Sequence, residues 1–143
     1  MTTKILVTGG AGYVGSVLVG HMLNQGYSVT VLDNLSYGQT SLLQYVTNPH
    51  FQFVRGDVRD ERVLREQLKS HDVIFPLAAI VGAPACARDP VTAKSVNYDA
   101  IVLLNRLRST DQSVVFPCTN SGYGTKSGDT YCTEETPLEP ISL

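Results

Sequence analysis

The stretch TGGAGYVGS, residues 8–16, decides the fold. It follows a short β-branched run, KILVT (4–8), and precedes a segment with helical spacing of its apolar residues. Where glycines link a strand to a helix, the backbone turns tightly and its N–H groups and the helix dipole face an anion. The loop therefore predicts a cradle for a dinucleotide pyrophosphate. The pattern is met twice, by Gly10, Gly12 and Gly15 and by Gly9, Gly12 and Gly15. No Gly-Lys-Ser/Thr follows, which excludes a Walker A loop.

The segment after the loop predicts a helix that Gly26 ends as a C-terminal cap. Spacing of i, i+3, i+4, i+7 and i+8 puts one set of residues on a single face of this helix. This set comprises Val14, Val17, Leu18, His21 and Met22.

Four more apolar runs predict strands, at 27–33, 51–54, 72–79 and 113–118. Helical segments lie between them. One is a short helix near 41–46, another is capped by Asp60, and the last opens at Asp89-Pro90 and runs to about Arg108. The last helix carries Val91, Ser95, Tyr98, Ile101, Val102 and Asn105 on one side. Alternation of strands and helices predicts an α/β fold with a doubly wound parallel sheet, incomplete at about five strands.

Composition narrows the class of protein. The 143 residues are 43% hydrophobic and 17% charged, which predicts a packed core, and the net charge of −2 argues against a nucleic-acid partner. The apolar run at the N-terminus is too short for a signal peptide or a membrane span, so we expect a cytoplasmic protein with no membrane contact. Three widely spaced cysteines and three scattered histidines predict neither a disulfide framework nor a metal site.

Asp33 ends the second predicted strand, where a carboxylate can accept hydrogen bonds from the hydroxyls of an adenosine ribose. The same carboxylate would repel a 2′-phosphate, because two unit charges 4 Å apart repel by about 4 kcal/mol at an effective dielectric of 20. No arginine follows to receive that phosphate. The sequence thus favours NAD over NADP as the cofactor.

Six motifs occur in an order that resembles one family. They are TGGAGYVGS, VLDNLSYG, GDVRD, PLAA, the Asn97 within SVNYDA, and TNSGYG. Together they resemble the extended short-chain dehydrogenase/reductases, in particular the NAD-dependent epimerases and dehydratases of nucleotide-sugars. The resemblance spans essentially the whole chain. It implies that residues 1–143 form the N-terminal part of an NAD-binding Rossmann domain, and that the family's smaller C-terminal substrate domain is absent from this chain.

The resemblance also implies roles for individual residues. Those that would hold the NAD pyrophosphate are Gly9, Gly12, Tyr13, Val14 and Gly15, with Ser36, Tyr37 and Gly38 nearby. The adenosine would be held by Asp33, Asn34, Asp57 and Val58. The path to the nicotinamide ribose would be lined by Leu77, Ala78 and Ala79 and braced by Asn97. Thr119 would be the catalytic hydroxyl beside the sugar, and the substrate would face Asn120 and Ser121 and a wall of small residues that includes Ile80, Val81 and Gly82.

The sequence departs from the family pattern in two ways. Pro76 stands where the family usually has His, and Pro117 and Cys118 stand where it has Ser. The family's acid–base pair, Tyr-x-x-x-Lys, is absent, since none of the seven tyrosines has Lys four residues later.

We therefore expect a truncated epimerase or dehydratase that works through a 4-keto sugar, is inactive alone, and is a homodimer at full length. Two alternatives stay open: a non-catalytic NAD-binding regulatory module, and a reductase or decarboxylase of the same family.

Overall fold

The computed structural model describes residues 2–126 and 131–140. Five parallel strands form one sheet in the order β3-β2-β1-β4-β5. The strands are β1 (Lys4–Thr8), β2 (Ser28–Asp33), β3 (Phe51–Arg55), β4 (Val73–Pro76) and β5 (Ser113–Val114). The chain reverses direction across the sheet between β3 and β4, and this places the topological switch point beside β1. The predicted doubly wound α/β fold of five strands is confirmed.

Helices connect the strands. They are α1 (Tyr13–Asn24), α2 (Glu61–Leu68), α3 (Ala83–Arg88), α4 (Pro90–Lys94) and α5 (Ala100–Leu107). A π-helical turn, Ser95–Asp99, joins α4 to α5, and single 3₁₀ turns occur at Leu43–Tyr45 and Asn120–Tyr123. Two predicted caps are present: Asp60 accepts hydrogen bonds from the N–H groups of Arg62 and Val63, and Asp89 accepts one from Thr92. In the described ranges, no helix combines the length and the apolar character needed to cross a membrane.

The sheet separates two apolar clusters. One lies under α1 and includes Ile5, Val7, Val19, Val29 and Val31. The other lies under α2 and α5 and includes Leu6, Leu32, Leu64, Ile74 and Leu104. Consecutive residues of β1 and β2 alternate between the clusters, as expected for strands buried on both faces. The sheet is therefore rigidly held at its centre, where the loops of the site begin.

The predicted face of α1 meets the core only in part: Met22 is buried and Leu18 packs against the core, but the first two of its residues do not. Val14 and Val17 are 63% and 70% exposed, while the buried residues of the helix are Gly15, Val19, Gly20, Met22 and Leu23. The helix turns its small residues inward because it lies close to neighbouring backbone and side chains. A Cβ on Gly15 would lie 2.6 Å from the Cα of Gly10, and a Cβ on Gly20 would meet the hydroxyl of Tyr45.

Of the six residues predicted to share one side of the last helix, four are exposed to solvent, whereas Ser95 and Ile101 are partly buried. Val91, Tyr98 and Val102 are exposed, and the core contacts come from Ala93, Ala100 and Leu104. A π turn holds one residue more than an α turn, so it shifts the phase of the apolar pattern between α4 and α5. The spacing of a plain α-helix could not anticipate that shift.

Several segments differ in length from the prediction, and the fourth strand, expected at 72–79, spans only Val73–Pro76. The fifth strand was expected to reach Cys118, but its ladder ends at Val114, after which the N–H of Val115 makes a last bond to the carbonyl of Ile74. It is an edge strand beside β4 alone, and Pro117 has no N–H to extend it. The short helix α3 occupies part of what was interpreted as a continuous wall of small residues at 80–85.

Candidate functional site

A groove of about 850 Å³ crosses the carboxyl ends of the central strands. Open α/β sheets bind their ligands at this edge, beside the switch point. The groove brings together most of the predicted site residues. Those that line it are Gly9, Gly12, Tyr13, Val14, Gly15, Asp33, Asn34, Ser36, Tyr37, Asp57, Val58, Leu77, Ala78, Ala79, Ile80 and Val81.

The glycine loop forms the floor of the groove between β1 and α1. Gly9 has φ of +69°, and a Cβ there would lie 2.5 Å from the backbone nitrogen of Ala78. The N–H of Gly12 donates to the carbonyl of Gly9 at 3.1 Å, which closes the turn. The resulting loop presents backbone without side chains to the groove, at the start of a twelve-residue helix.

Asp33 is buried at the end of β2 and is tied to the loop. Its Oδ2 accepts a hydrogen bond from the N–H of Ala11 at 3.0 Å, and its Oδ1 accepts one from Leu35 at 2.8 Å. Leu35 has φ of +57°, so this bond holds a backbone conformation that leucine seldom adopts. A carboxylate has about four acceptor positions, and two remain for the hydroxyls of a ligand.

A polar network forms one end of the groove. The side-chain amide of Asn34 donates to Asp57 at 3.4 Å, and its oxygen accepts from the backbone N–H of Ser36 at 3.0 Å. Arg59 donates to both carboxylate oxygens of Asp57, from Nε at 2.9 Å and from Nη2 at 2.6 Å. The hydrogen bonds from Arg59 lower the pKa of Asp57 to about 2, so that carboxylate is an acceptor at any physiological pH.

The other end of the groove follows β4. The N–H of Ala78 donates to the hydroxyl oxygen of the buried Thr8 at 3.4 Å. Asn97, in the π turn, holds Ile80 from both sides of its backbone: its Oδ1 accepts from Ile80 N–H at 2.8 Å and its Nδ2 donates to Ile80 O at 2.9 Å. Asn97 therefore braces the strand end against the helix, in the position that was predicted for it, without lining the groove itself.

Thr119 lies outside the groove lining in the described part of the chain. It caps the 3₁₀ turn Asn120–Tyr123: its Oγ1 accepts from Ser121 N–H at 3.3 Å and lies 2.8 Å from the Ser121 hydroxyl. Both side chains are exposed. The side chain of Asn120 lies outside what the structure describes.

Two glycines predicted at the site also serve turns rather than the lining of the groove. Gly38 has φ of +63° and donates to Leu35 O, and Gly82 has φ of +96° at the start of α3. The roles predicted for these residues, for Thr119 and Ser121 and for the residues that line the groove stay predictions.

Several groove residues escaped the sequence analysis. They are Gln39, Arg59, Arg88, Thr92 and Val96. Arg59 stands inside the motif GDVRD, two residues after Asp57, so the motif itself carried the signal. Thr92 and Val96 lie in α4 and the π turn, and they line the groove because of where these elements pack. Local sequence patterns do not predict that placement.

The groove fits a dinucleotide by its own chemistry. It offers a glycine backbone and a helix start for phosphates, a buried carboxylate for ribose hydroxyls, and a carboxylate flanked by valines for a base. The side-chain oxygen of Gln39 is buried there without a hydrogen-bond partner among the residues that the structure describes, and a ligand hydroxyl would supply one.

A second cavity, of about 190 Å³, lies at the amino ends of the strands, beside His50 and His71, and contains none of the predicted site residues. Within the described ranges, no three potential metal-ligating side chains of His, Cys, Asp or Glu lie together.

Comparison with known proteins places these features in context. A family model described as the NAD dependent epimerase/dehydratase family matches residues 5–143. A UDP-glucose 4-epimerase from Halalkalibacterium halodurans is 36% identical over 84% of this chain and 36% of its own length. A UDP-N-acetyl-alpha-D-glucosaminuronate decarboxylase from Bacillus cytotoxicus is 29% identical over 87% of this chain and 39% of its own length.

The fold is also similar to solved structures. The crystal structure of dTDP-glucose 4,6-dehydratase from Bacillus anthracis, in complex with NAD, superposes with a TM-score of 0.86 at 29% identity, and covers 99% of this chain and 45% of the dehydratase. The chain thus spans less than half the length of each of these three proteins.

Proposed function

Because the chain belongs to the NAD-dependent epimerase/dehydratase family, we propose that it forms the cofactor-binding part of an enzyme that epimerises or dehydrates a nucleotide-sugar through a 4-keto intermediate. The family and its NAD dependence agree with the resemblance drawn from the six motifs. The observation that carries the proposal is the buried Asp33 carboxylate, which faces the groove with two acceptor positions free beside a glycine loop.

In this proposal the groove holds extended NAD from one end to the other. Backbone N–H groups of Tyr13 to Gly15 at the start of α1 hold the pyrophosphate, which lies against Gly9 and Gly12, and Ser36, Tyr37 and Gly38 close over it. Asp33 and Asn34 hold the adenosine ribose, while Asp57 and Val58 contact the adenine. Leu77, Ala78 and Ala79 run along the nicotinamide half. Bound NAD supplies a hydride acceptor that is regenerated within the turnover.

The chain's own contribution to the chemistry centres on Thr119. Its hydroxyl would hydrogen-bond the sugar oxygen that becomes the carbonyl, and would hold that oxygen in line for loss of its proton. Asn120, Ser121 and the segment from Ile80 to Gly82 would form the wall beside the sugar. The proton acceptor of the family is a Tyr-x-x-x-Lys pair, which is not among these 143 residues. We therefore propose that the 143 residues alone bind NAD and turn over no sugar.

Two other readings of the same site are tested by the same experiment. The similarity to a decarboxylase supports a different reaction of the same cofactor on a nucleotide-sugar acid. A regulatory module would keep the groove and bind NAD without any reaction.

The experiment uses a protein that spans the whole length of the relatives. It is incubated with NAD and either a UDP-hexose or a dTDP-hexose, and the sugar is followed by proton NMR. A C4 epimer or a 4-keto-6-deoxy sugar supports the proposal. Release of carbon dioxide from a nucleotide-sugar acid supports the decarboxylase. NAD binding without any change in these sugars supports the regulatory module.

We also propose that the protein of full family length is a homodimer. Val91, Tyr98 and Val102 form an exposed apolar stripe along α4, the π turn and α5. A second copy would cover that stripe, since exposed contiguous apolar surface marks interaction sites. Light scattering on the protein and on a Val102→Glu variant tests this, because a charge in the stripe should leave a monomer.

A further inference from the structure

The guanidinium of Arg59 is fixed at both of its ends. On one side it meets Asp57 through Nε and Nη2, and the backbone N–H of Arg59 donates to the same carboxylate at 2.9 Å. On the other side its Nη1 donates to the hydroxyl of Ser95 at 3.2 Å, and that hydroxyl donates to Thr92 O at 2.9 Å. Arg59 therefore spans from the loop after β3 to the first residue of the π turn.

Asp57 thus accepts three hydrogen bonds from Arg59 alone, and together they fix the direction of its carboxylate. The side chains of Asp57 and Arg59 are 30% and 41% exposed, so both keep a surface toward the groove. Val58, Thr92 and Val96 line the groove beside them. The result is a slot with apolar walls and an oriented acceptor at one end, which suits a flat base that carries an exocyclic amine.

We propose that Arg59 is a positioning residue for the adenine of the cofactor: it aims the Asp57 carboxylate at the 6-amino group of the base and acts only through that carboxylate. This inference rests on the proposed function, in which Asp57 contacts the adenine. The bidentate fork is essential, because two parallel N–H···O bonds fix the plane of a carboxylate, whereas a single ammonium fixes only its distance.

Two further residues act on the ion pair of Asp57 and Arg59. Asn34 approaches Asp57 from the end of β2, and Asp89 interacts with Arg59 from the start of α4. Neither replaces the fork, since Asn34 offers one long hydrogen bond and Asp89 has the wrong charge to orient a carboxylate. The bond from Asn34, at 3.4 Å, is the longest of the four that Asp57 accepts, and it is the one that the amino group of the base would replace. Removal of the guanidinium would leave Asp57 held only by the backbone N–H of residue 59 and by Asn34, so the plane of its carboxylate would no longer be fixed by a fork.

The test compares NAD with nicotinamide hypoxanthine dinucleotide, which has a carbonyl oxygen in place of the 6-amino group. Calorimetric titration of the wild-type protein should give at least tenfold tighter binding of NAD, since a hydrogen bond to a charged acceptor is worth roughly that factor. Arg59→Gln should weaken NAD about tenfold and change the hypoxanthine analogue less than twofold. Arg59→Lys should recover only part of the preference. Arg62→Gln, which removes a neighbouring arginine outside the groove lining, should change neither ligand.

The outcomes distinguish the orientation of Asp57 by Arg59 from dinucleotide binding by the groove as a whole. Equal losses for both dinucleotides in Arg59→Gln would mean that Arg59 only supports the fold, and an unchanged NAD affinity would mean that Asp57 needs no orientation; either result overturns the inference. Asp57→Asn provides a second check if the arginine variants fold poorly, because it should abolish the preference for NAD over the analogue. A wild-type protein that binds neither dinucleotide would overturn the proposed cofactor site together with this inference.

Discussion

The buried carboxylate of Asp33 accepts a hydrogen bond from the backbone N–H of Ala11, at 3.0 Å, across 22 residues of sequence. The end of β2 is thereby bonded to the middle of the glycine loop. One side chain thus shapes the phosphate-binding loop and also faces the groove in which a ribose would lie. The loop does not depend on a ligand for this bond.

Asp33→Ala should consequently destabilise the protein itself. Loss of the carboxylate leaves the N–H groups of Ala11 and Leu35 without their acceptors, and a buried unsatisfied donor costs about 1–3 kcal/mol. Urea unfolding of the ligand-free protein measures the effect. Asp111→Ala, at an exposed site, is the control and should change the free energy of unfolding by less than about 0.5 kcal/mol.

Gly9→Ala should disrupt the loop severely. Its Cβ would lie 2.5 Å from Ala78 N and 2.6 Å from Ala78 Cα, and backbone atoms of a central strand end cannot move aside. We expect a loss of roughly 3 kcal/mol or more, from the clash together with the strained φ of +69°. Gly26→Ala shares the positive φ but meets no atom within 4 Å, so it should cost only about 1 kcal/mol. Similar losses of stability in the two variants would show that the loop and the strand end do not pack closely enough to exclude a Cβ at residue 9.

Thr119→Ala should lower turnover in a protein that spans the family length, with little change in NAD affinity. The hydroxyl is proposed to touch the sugar and not the cofactor, and a positioned group of this kind contributes roughly 10²–10⁴-fold. Steady-state kinetics and NAD titration together measure the two effects. Thr119→Ser keeps the hydroxyl and should keep most of the rate; full activity in the alanine variant would remove Thr119 from the mechanism.

The ion pair of Asp57 and Arg59 predicts a pH dependence of stability. The pKa of Asp57 is lowered to about 2 in the folded protein, from an ordinary value of 3.8. Its contribution is therefore complete above about pH 4 and is lost as the pH falls toward 2. Between pH 5 and pH 2.5 the wild-type protein should lose roughly 1 kcal/mol more stability than Asp57→Asn, allowing for solvent screening of a partly exposed pair. Parallel losses in the two proteins would contradict the pairing.

Much of the fold was predictable because its signals are local. Each strand of the sheet lies in a short run of β-branched or aromatic residues, and the caps at Asp60, Asp89 and Gly26 follow from side-chain and backbone chemistry within a few residues. The glycine loop and Asp33 were predictable as a pair for a similar reason, since the strand–loop–helix context fixes where both must lie. The groove brings these residues together as expected.

The predictions that the structure did not match concern contacts between distant segments of the chain. Val14 and Val17 match helical spacing, yet α1 turns Gly15 and Gly20 inward because the loop and Tyr45 lie against it. The π turn at Ser95–Asp99 shifts the apolar phase of the last helix, and a shift of one residue leaves no local mark. Arg59 was overlooked although it stands in a quoted motif, because its importance depends on Ser95, 36 residues away.

The central claim is that the groove is an NAD site in which Asp33 selects the cofactor. Calorimetric titration of NAD and NADP into the wild-type protein and into Asp33→Ala tests it most directly. Wild type should bind NAD at least tenfold more tightly than NADP, because the carboxylate accepts from the ribose hydroxyls and repels a 2′-phosphate. Asp33→Ala should weaken NAD and bring the two affinities close together. An unchanged preference in that variant, with the protein folded, would contradict the assignment of Asp33 to the ribose and with it the account of the groove.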